Sequence, residues 1–128
     1  MKYLLDTHVF LWWNLGDPRL SHNATAIISD GNNEIFLSAV SAWEIAIKVA
    51  KKRLTIPEEP VRFVPSRMQL HGFQPLPIQI HHATRIYELP IYHTDPFDRL
   101  LIAQSQIESM PLICADANIR RYKVEVIW

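Results

Sequence analysis

The stretch His93-Thr94-Asp95-Pro96-Phe97-Asp98-Arg99-Leu100-Leu101-Ile102-Ala103-Gln104 constrains the fold more than any other part of the chain. It reads as the start of a helix. Asp95 can cap, Pro96 has its preset φ at the first helical position, and Asp98 places a carboxylate where the free backbone N–H groups point. Phe97, Leu100, Leu101, Ile102 and Ala103 leave little room for a polar face in the first two turns, so the helix is expected to be largely buried with its acids at the rim. Capping alone accounts for Asp95, in a capping box that uses the shorter acid. Asp98 has further meaning only if carboxylates from elsewhere in the chain arrive at the same place.

Strand ends supply two of them. Tyr3-Leu4-Leu5 is a short apolar run without alternation, as expected for a strand buried on both faces of a parallel sheet, and it stops at Asp6. Pro111-Leu112-Ile113-Cys114-Ala115 is a second such run, halting at Asp116. Between them lie a buried helix over Val9 to Trp13, broken by Gly16-Asp17-Pro18, and a modest helix from Ser21 to Asp30. A strand over Glu34 to Ser38 follows, and then a helix capped by Ser41 with Glu44 completing the box, running to about Arg53. On that helix the spacing makes Trp43, Ile47, Ala50 and Leu54 an inner stripe. Glu44, Lys48, Lys51 and Lys52 read as a solvated stripe, or as a carboxylate beside cations that await phosphates. A proline-punctuated region is expected to hold a helix around Val61 to Leu70 and a strand near Leu76 to Ile78. Ile80, Ala83, Ile86 and Tyr87 mark one more amphipathic helix, and Lys123 to Trp128 a last strand. Strands alternating with helices imply right-handed crossovers and a mainly parallel sheet covered on both faces.

In such a sheet all carboxyl ends share one edge, and ligands bind outside it where the strand order reverses. Asp6 and Asp116 follow strand ends, while Glu44 and Asp98 lie in first helical turns expected on the same edge. Four like charges in one crevice are costly unless a cation is present or some are protonated. Hard oxygen ligands with open positions suit Mg²⁺ or Mn²⁺. No zinc pattern occurs among the six histidines; His81 and His82, being adjacent, should point to different parts of a helix surface. His8 and His93 lie near the proposed site, where structural hydrogen bonds account for them. Neither a phosphate-cradling G-x-x-x-x-G-K-[ST] loop nor a G-x-S-x-G elbow is present.

The segments Asp6-Thr7-His8, Ser38-Ala39-Val40-Ser41-Ala42-Trp43-Glu44, His93 to Gln104 and Ala115-Asp116 together resemble the PIN domain, and more narrowly the VapC-type toxins of bacterial toxin–antitoxin pairs. The resemblance runs over essentially the whole chain, expected as a single domain over residues 1–128. It implies an α/β/α sandwich with a central, mainly parallel sheet of four to five strands. It further implies a Mg²⁺- or Mn²⁺-dependent endoribonuclease that hydrolyses RNA, is inhibited by an antitoxin, and forms a homodimer or a hetero-oligomer with that antitoxin. The family's acidic site falls on Asp6, Glu44, Asp98 and Asp116 as catalytic and metal-ligating residues, most firmly on Asp6 and Asp98. Lys48, Lys51, Lys52, Arg99, Arg120 and Arg121 are candidate phosphate contacts. The alternative is a non-catalytic PIN-like module that binds RNA or protein. A phosphate-accepting receiver domain fits poorly, since the first strand ends in Asp-Thr-His and the second in Leu37-Ser38.

Thirteen basic and thirteen acidic residues give zero formal charge, so any polyanion site must be local. The lone cysteine, Cys114, lies in an apolar run, which excludes a disulfide framework and suggests an inert core thiol. With no apolar stretch of membrane-spanning length and no signal peptide pattern, the expected setting is the cytoplasm. Trp12 and Trp13 read as core or as interface residues.

Overall fold

A computed structural model describes residues 1–128. Five strands, β1 (Lys2–Leu5), β2 (Glu34–Ser38), β3 (Gln74–Leu76), β4 (Leu112–Ile113) and β5 (Val126–Ile127), pair in the order β3-β2-β1-β4-β5. Every pairing is parallel. Six α-helices connect them: α1 (Thr7–Leu15), α2 (His22–Ser29), α3 (Ala39–Ala50), α4 (Pro60–His71), α5 (Ile80–Arg85) and α6 (Pro96–Glu108). The expected α/β sandwich is thus observed, with all five strands parallel.

Both faces of the sheet are buried, and the apolar strand runs divide between them residue by residue. Tyr3, Leu5, Ile35, Leu37 and Ile113 pack with α1, α2 and α4 through Phe10, Ala24, Ile28 and Phe63. Leu4, Phe36, Leu112 and Cys114 point the other way, to Leu100, Leu101 and Ile102 of α6. Burial pushes the Cys114 thiol far above its ordinary value, which leaves it protonated and unreactive. No helix is long and apolar enough to cross a membrane.

Several elements depart from the sequence expectation. Helix α3 starts three residues early, because Ser38 rather than Ser41 caps it: the Ser38 hydroxyl accepts from the Val40 N–H and donates to the buried Gln104 side chain of α6. Ser41 is instead buried and accepts from the Thr7 hydroxyl of α1 at 2.9 Å. The inner stripe therefore shifts to Val40, Ser41, Glu44 and Ile45, and Trp43 is left exposed. Strand β3 lies two residues earlier than expected, and β5 is only two residues long. Helix α5 turns its apolar side outward. Ile80 and Tyr87 are exposed, and the buried residue is His82.

The rings of His81 and His82 lie 4.5 Å apart, not on separate parts of the helix. With Glu108 they place three possible ligand atoms within 4.8 Å. Yet His82 Nδ1 accepts from the Gln79 N–H at 2.9 Å, so the neutral ring carries its proton on Nε2 and donates to Glu108 at 2.9 Å. Both ring nitrogens of His82 are engaged, and the His82–Glu108 pair clamps α5 to α6.

The Ser38–Gln104 contact spans the two helices that carry Glu44 and Asp98, and Gln104 also donates to the Pro77 carbonyl. Gln104→Leu strands the buried Ser38 hydroxyl and removes the bond to the exposed Pro77. It is expected to lower stability by about 2 kcal/mol, read from urea unfolding, whereas an exposed change such as Gln69→Leu is expected to cost little.

Candidate functional site

Strand order reverses at β1, which has β2 on one side and β4 on the other. The crevice of such a sheet opens above the carboxyl ends of β1 and β4. Asp6 follows β1 directly, and its backbone N–H donates to the Ile113 carbonyl of β4 at 3.0 Å, continuing the ladder one residue past the strand. Its side chain caps α1 by accepting from the His8 N–H at 3.1 Å through Oδ2. Although it is 96 % buried, the carboxylate makes its hydrogen bonds through that one oxygen. Asp116 lies beyond β4 on an exposed turn, where Oδ1 accepts from the Asn118 N–H, and lines the same cleft as Asp6.

The other two acids come from helices. Glu44 is buried on the inner side of α3, and Lys48 one turn on reaches its Oε2. A solvated stripe is therefore the wrong description of Glu44, though it holds for Lys51 and Lys52, which are exposed. Asp98 occupies the first turn of α6 as expected, below an Asp95 cap that accepts its N–H at 2.9 Å.

The other acids act on Asp98 through their charge. The Asp98 carboxyl is raised to about 7, first by burial and then by the charges of Asp6, Asp95, Glu44 and Asp116. His8, at the cleft wall, is raised mainly by its hydrogen bond to Asp6 against the opposing effect of burial. Asp6, Glu44, Asp98 and Asp116 offer carboxylate oxygens, the donor type that suits a hard divalent cation.

A polar chain that sequence reasoning missed orients Asp98. Arg99 is buried and donates to the carbonyls of Ile86, Leu89, Pro90 and His93, and to the Tyr122 hydroxyl at 3.1 Å. It cannot be the phosphate contact expected from its charge. With Arg99 donating to it, the Tyr122 hydroxyl gives its own proton to His93 Nδ1 at 2.8 Å, which leaves Nε2–H to donate to Asp98 Oδ2 at 3.3 Å. Nothing local in Arg120-Arg121-Tyr122 signals this, because the tyrosine acts on residues 29 positions upstream. Arg120 and Arg121 are exposed.

Comparison with known proteins sets this crevice in a family. The PIN domain model matches residues 3–125. The chain belongs to the PIN domain family. It is 44% identical over 69 residues to Ribonuclease VapC16 of Mycobacterium tuberculosis, a match that covers 51% of this chain and 49% of that protein, so the chain spans about half the length of this relative. Its fold is similar to VapBC2 from Rickettsia felis bound to a promoter DNA fragment, with a TM-score of 0.72 at 16% identity over 99% of this chain and 98% of that one. FitAcB from Neisseria gonorrhoeae gives 0.68 at 22% identity over 100% and 97%. FitAB bound to IR36 DNA gives 0.67 at 22% over 99% and 94%.

A carboxyl that holds its proton more tightly in the folded than in the unfolded chain stabilises the fold fully below the unfolded value of 3.8 and loses that contribution as pH rises through about 7. In chelator, Asp98→Asn is therefore expected to melt above the native protein at pH 8 and to converge with it below pH 4. Three pKa units correspond to roughly 4 kcal/mol; with screening by solvent, about 2 kcal/mol is expected. A difference independent of pH would show that Asp98 does not feel its acidic neighbours.

Proposed function

We propose that this chain is a metal-dependent endoribonuclease and the toxin of a toxin–antitoxin pair, with Asp6, Glu44, Asp98 and Asp116 as its catalytic and metal-ligating residues. The observation that carries this reading is Asp98 half-buried at the start of α6 under the charges of Asp6, Glu44 and Asp116, in a PIN-family sheet whose strand order reverses at β1. Resemblance to a ribonuclease named VapC16, and to the VapBC2 and FitAB folds, supports it. An antitoxin partner, a homodimer or hetero-oligomer, a cytoplasmic setting and a single functional domain over residues 1–128 belong to the same proposal.

Asp6 and Asp98 would hold a Mg²⁺ or Mn²⁺ ion, with Asp116 at the open rim and Glu44 on the inner side. Such an ion would lower the pKa of a water and offset charge on the scissile phosphate. The chain's own residues prepare the place. Asp98 must lose its proton to serve as a ligand, so its raised pKa makes cation binding strengthen as pH rises through about 7. The His93 Nε2–H restrains one Asp98 oxygen, and Lys48 holds one oxygen of Glu44 against the repulsion of its neighbours. Lys51, Lys52, Arg120 and Arg121, all exposed, remain as contacts for the RNA backbone, and cleavage is expected to weaken steeply with salt if they serve so.

The deciding experiment is cleavage of RNA by the purified protein with Mg²⁺ or Mn²⁺, with and without chelator, for native and Asp98→Asn forms, alongside thermal melts. Activity that requires metal and falls at least about a hundred-fold in a folded Asp98→Asn protein is the expected result. RNA binding with no metal-dependent cleavage by the native chain would instead make this a binding module.

Tyr122→Phe removes the hydroxyl that sets the His93 tautomer but keeps the ring. Retained folding with about ten-fold weaker Mn²⁺ binding, measured by calorimetry, is the expected outcome. Unchanged affinity would mean that the chain of hydrogen bonds from Arg99 does not reach the acids.

A further inference from the structure

The cleft shared by Asp6 and Asp116, about 280 Å³ in volume, has a second wall that the acids do not explain. His8, Trp12 and Arg19 line it as well. The Arg19 guanidinium sits 4.9 Å from the centre of the Trp12 ring, in cation–π range. Trp12 is braced in turn by Trp128 at 5.7 Å and by His8 one helical turn earlier at 5.9 Å. Trp12, expected as core or interface, is thus a partly exposed wall of the acidic cleft.

Arg19 is held in place by a fork. Its Nε donates to Asp17 Oδ1 at 3.1 Å and its Nη2 to Asp17 Oδ2 at 2.7 Å, on the tight turn that follows Gly16. The Arg19 N–H also donates to Asp17 Oδ1, at 2.9 Å. An exposed ion pair of this kind adds little stability, but the bidentate geometry fixes the plane of the guanidinium. Nη1 has no protein partner. The side chain is 69% exposed, so its outer plane is open although the indole backs the inner one. A flat, cationic, preorganised surface at the edge of a carboxylate cleft suits a ligand with a π face and a phosphate. Splayed bases of single-stranded RNA stack on aromatic rings and guanidinium planes in this way.

We propose that Trp12 and Arg19 form a stacking subsite for the nucleotide next to the scissile phosphate of a single-stranded RNA. The base lies on the outer guanidinium plane, making a layered stack of base, Arg19 and Trp12, and Nη1 faces the adjoining phosphate. Stacking strength then sets a modest preference for a purine at one position beside the cut. This rests on the ribonuclease reading for its substrate, but its test does not depend on cleavage.

Binding of fluorescein-labelled single-stranded RNA 12-mers is measured by anisotropy in chelator, where no cleavage occurs. Each RNA carries a purine, a pyrimidine or an abasic residue at one position in turn. For native protein the abasic change is expected to weaken binding roughly ten-fold at one position. Arg19→Ala and Arg19→Lys are both expected to lose that discrimination, because lysine keeps the charge but not the plane. Trp12→Phe, which keeps an aromatic backing and spares the fold, is expected to retain most of it. Arg19→Lys behaving like native protein would reduce the contact to a point charge and overturn the stacking subsite. Native discrimination in Arg19→Ala would also overturn it, and would leave this wall to a protein partner. Failure of the nuclease reading would appear separately, as absent metal-dependent cleavage with base discrimination intact.

Discussion

The structure depends on the parallel pairing of β1 with both β2 and β4. A strand buried on both faces and hydrogen-bonded at both edges has no solvated side, so Tyr3-Leu4-Leu5 can be apolar throughout. The same pairing brings Asp6 to Ile113, residues more than a hundred positions apart. Helices α3 and α6 then pack beside this joint, and each delivers an acid in its early turns. The crevice is a by-product of the way the sheet is wound.

Partly burying Asp98 among other carboxylates works against the fold, and its raised pKa expresses the burial first and the neighbouring charges second. What holds the acids together is apolar burial below them and neutral hydrogen bonding around them. Leu100 to Ala103 anchor α6 in the core, and the Ser38–Gln104 and Thr7–Ser41 contacts tie α1, α3 and α6 to one another. Cations take a smaller part. Lys48 meets Glu44, while Arg99, close in sequence to Asp98, spends its donors on carbonyls of the segment that leads into α6.

The legible parts of the sequence were those with local causes. Apolar strand runs that stop at acids, the Asp95-Pro96 helix start and the Ser21 cap each depend on residues within a turn or two, and each stands as read. The misread parts had distant causes. Two serines could cap α3, and the box with Glu44 favoured Ser41; the choice of Ser38 is made by Gln104, 66 residues away. Glu44 lies in the interior, a side of α3 that the spacing of Trp43, Ile47, Ala50 and Leu54 did not indicate. The spacing of Ile80, Ala83, Ile86 and Tyr87 predicted one helix with an apolar inner face, but α5 ends at Arg85 and buries His82, whose ring bonds Glu108. The positions of the four acids could be read because each follows a strand end or lies in the early turns of a helix. The His93–Tyr122–Arg99 chain could not, because nothing local marks a tyrosine as a partner.

The joint between Ser38 and Gln104 has a consequence for recognition. Because α3 and α6 are fixed to each other through the core, the spacing between Glu44 and Asp98 is set during folding and not by whatever enters the crevice. An arriving cation or nucleotide then loses its own motional freedom but need not order the protein as well. For a cation bound as proposed, discrimination would become a matter of size against a set frame, as in a crown ether of fixed ring rather than an open-chain chelator.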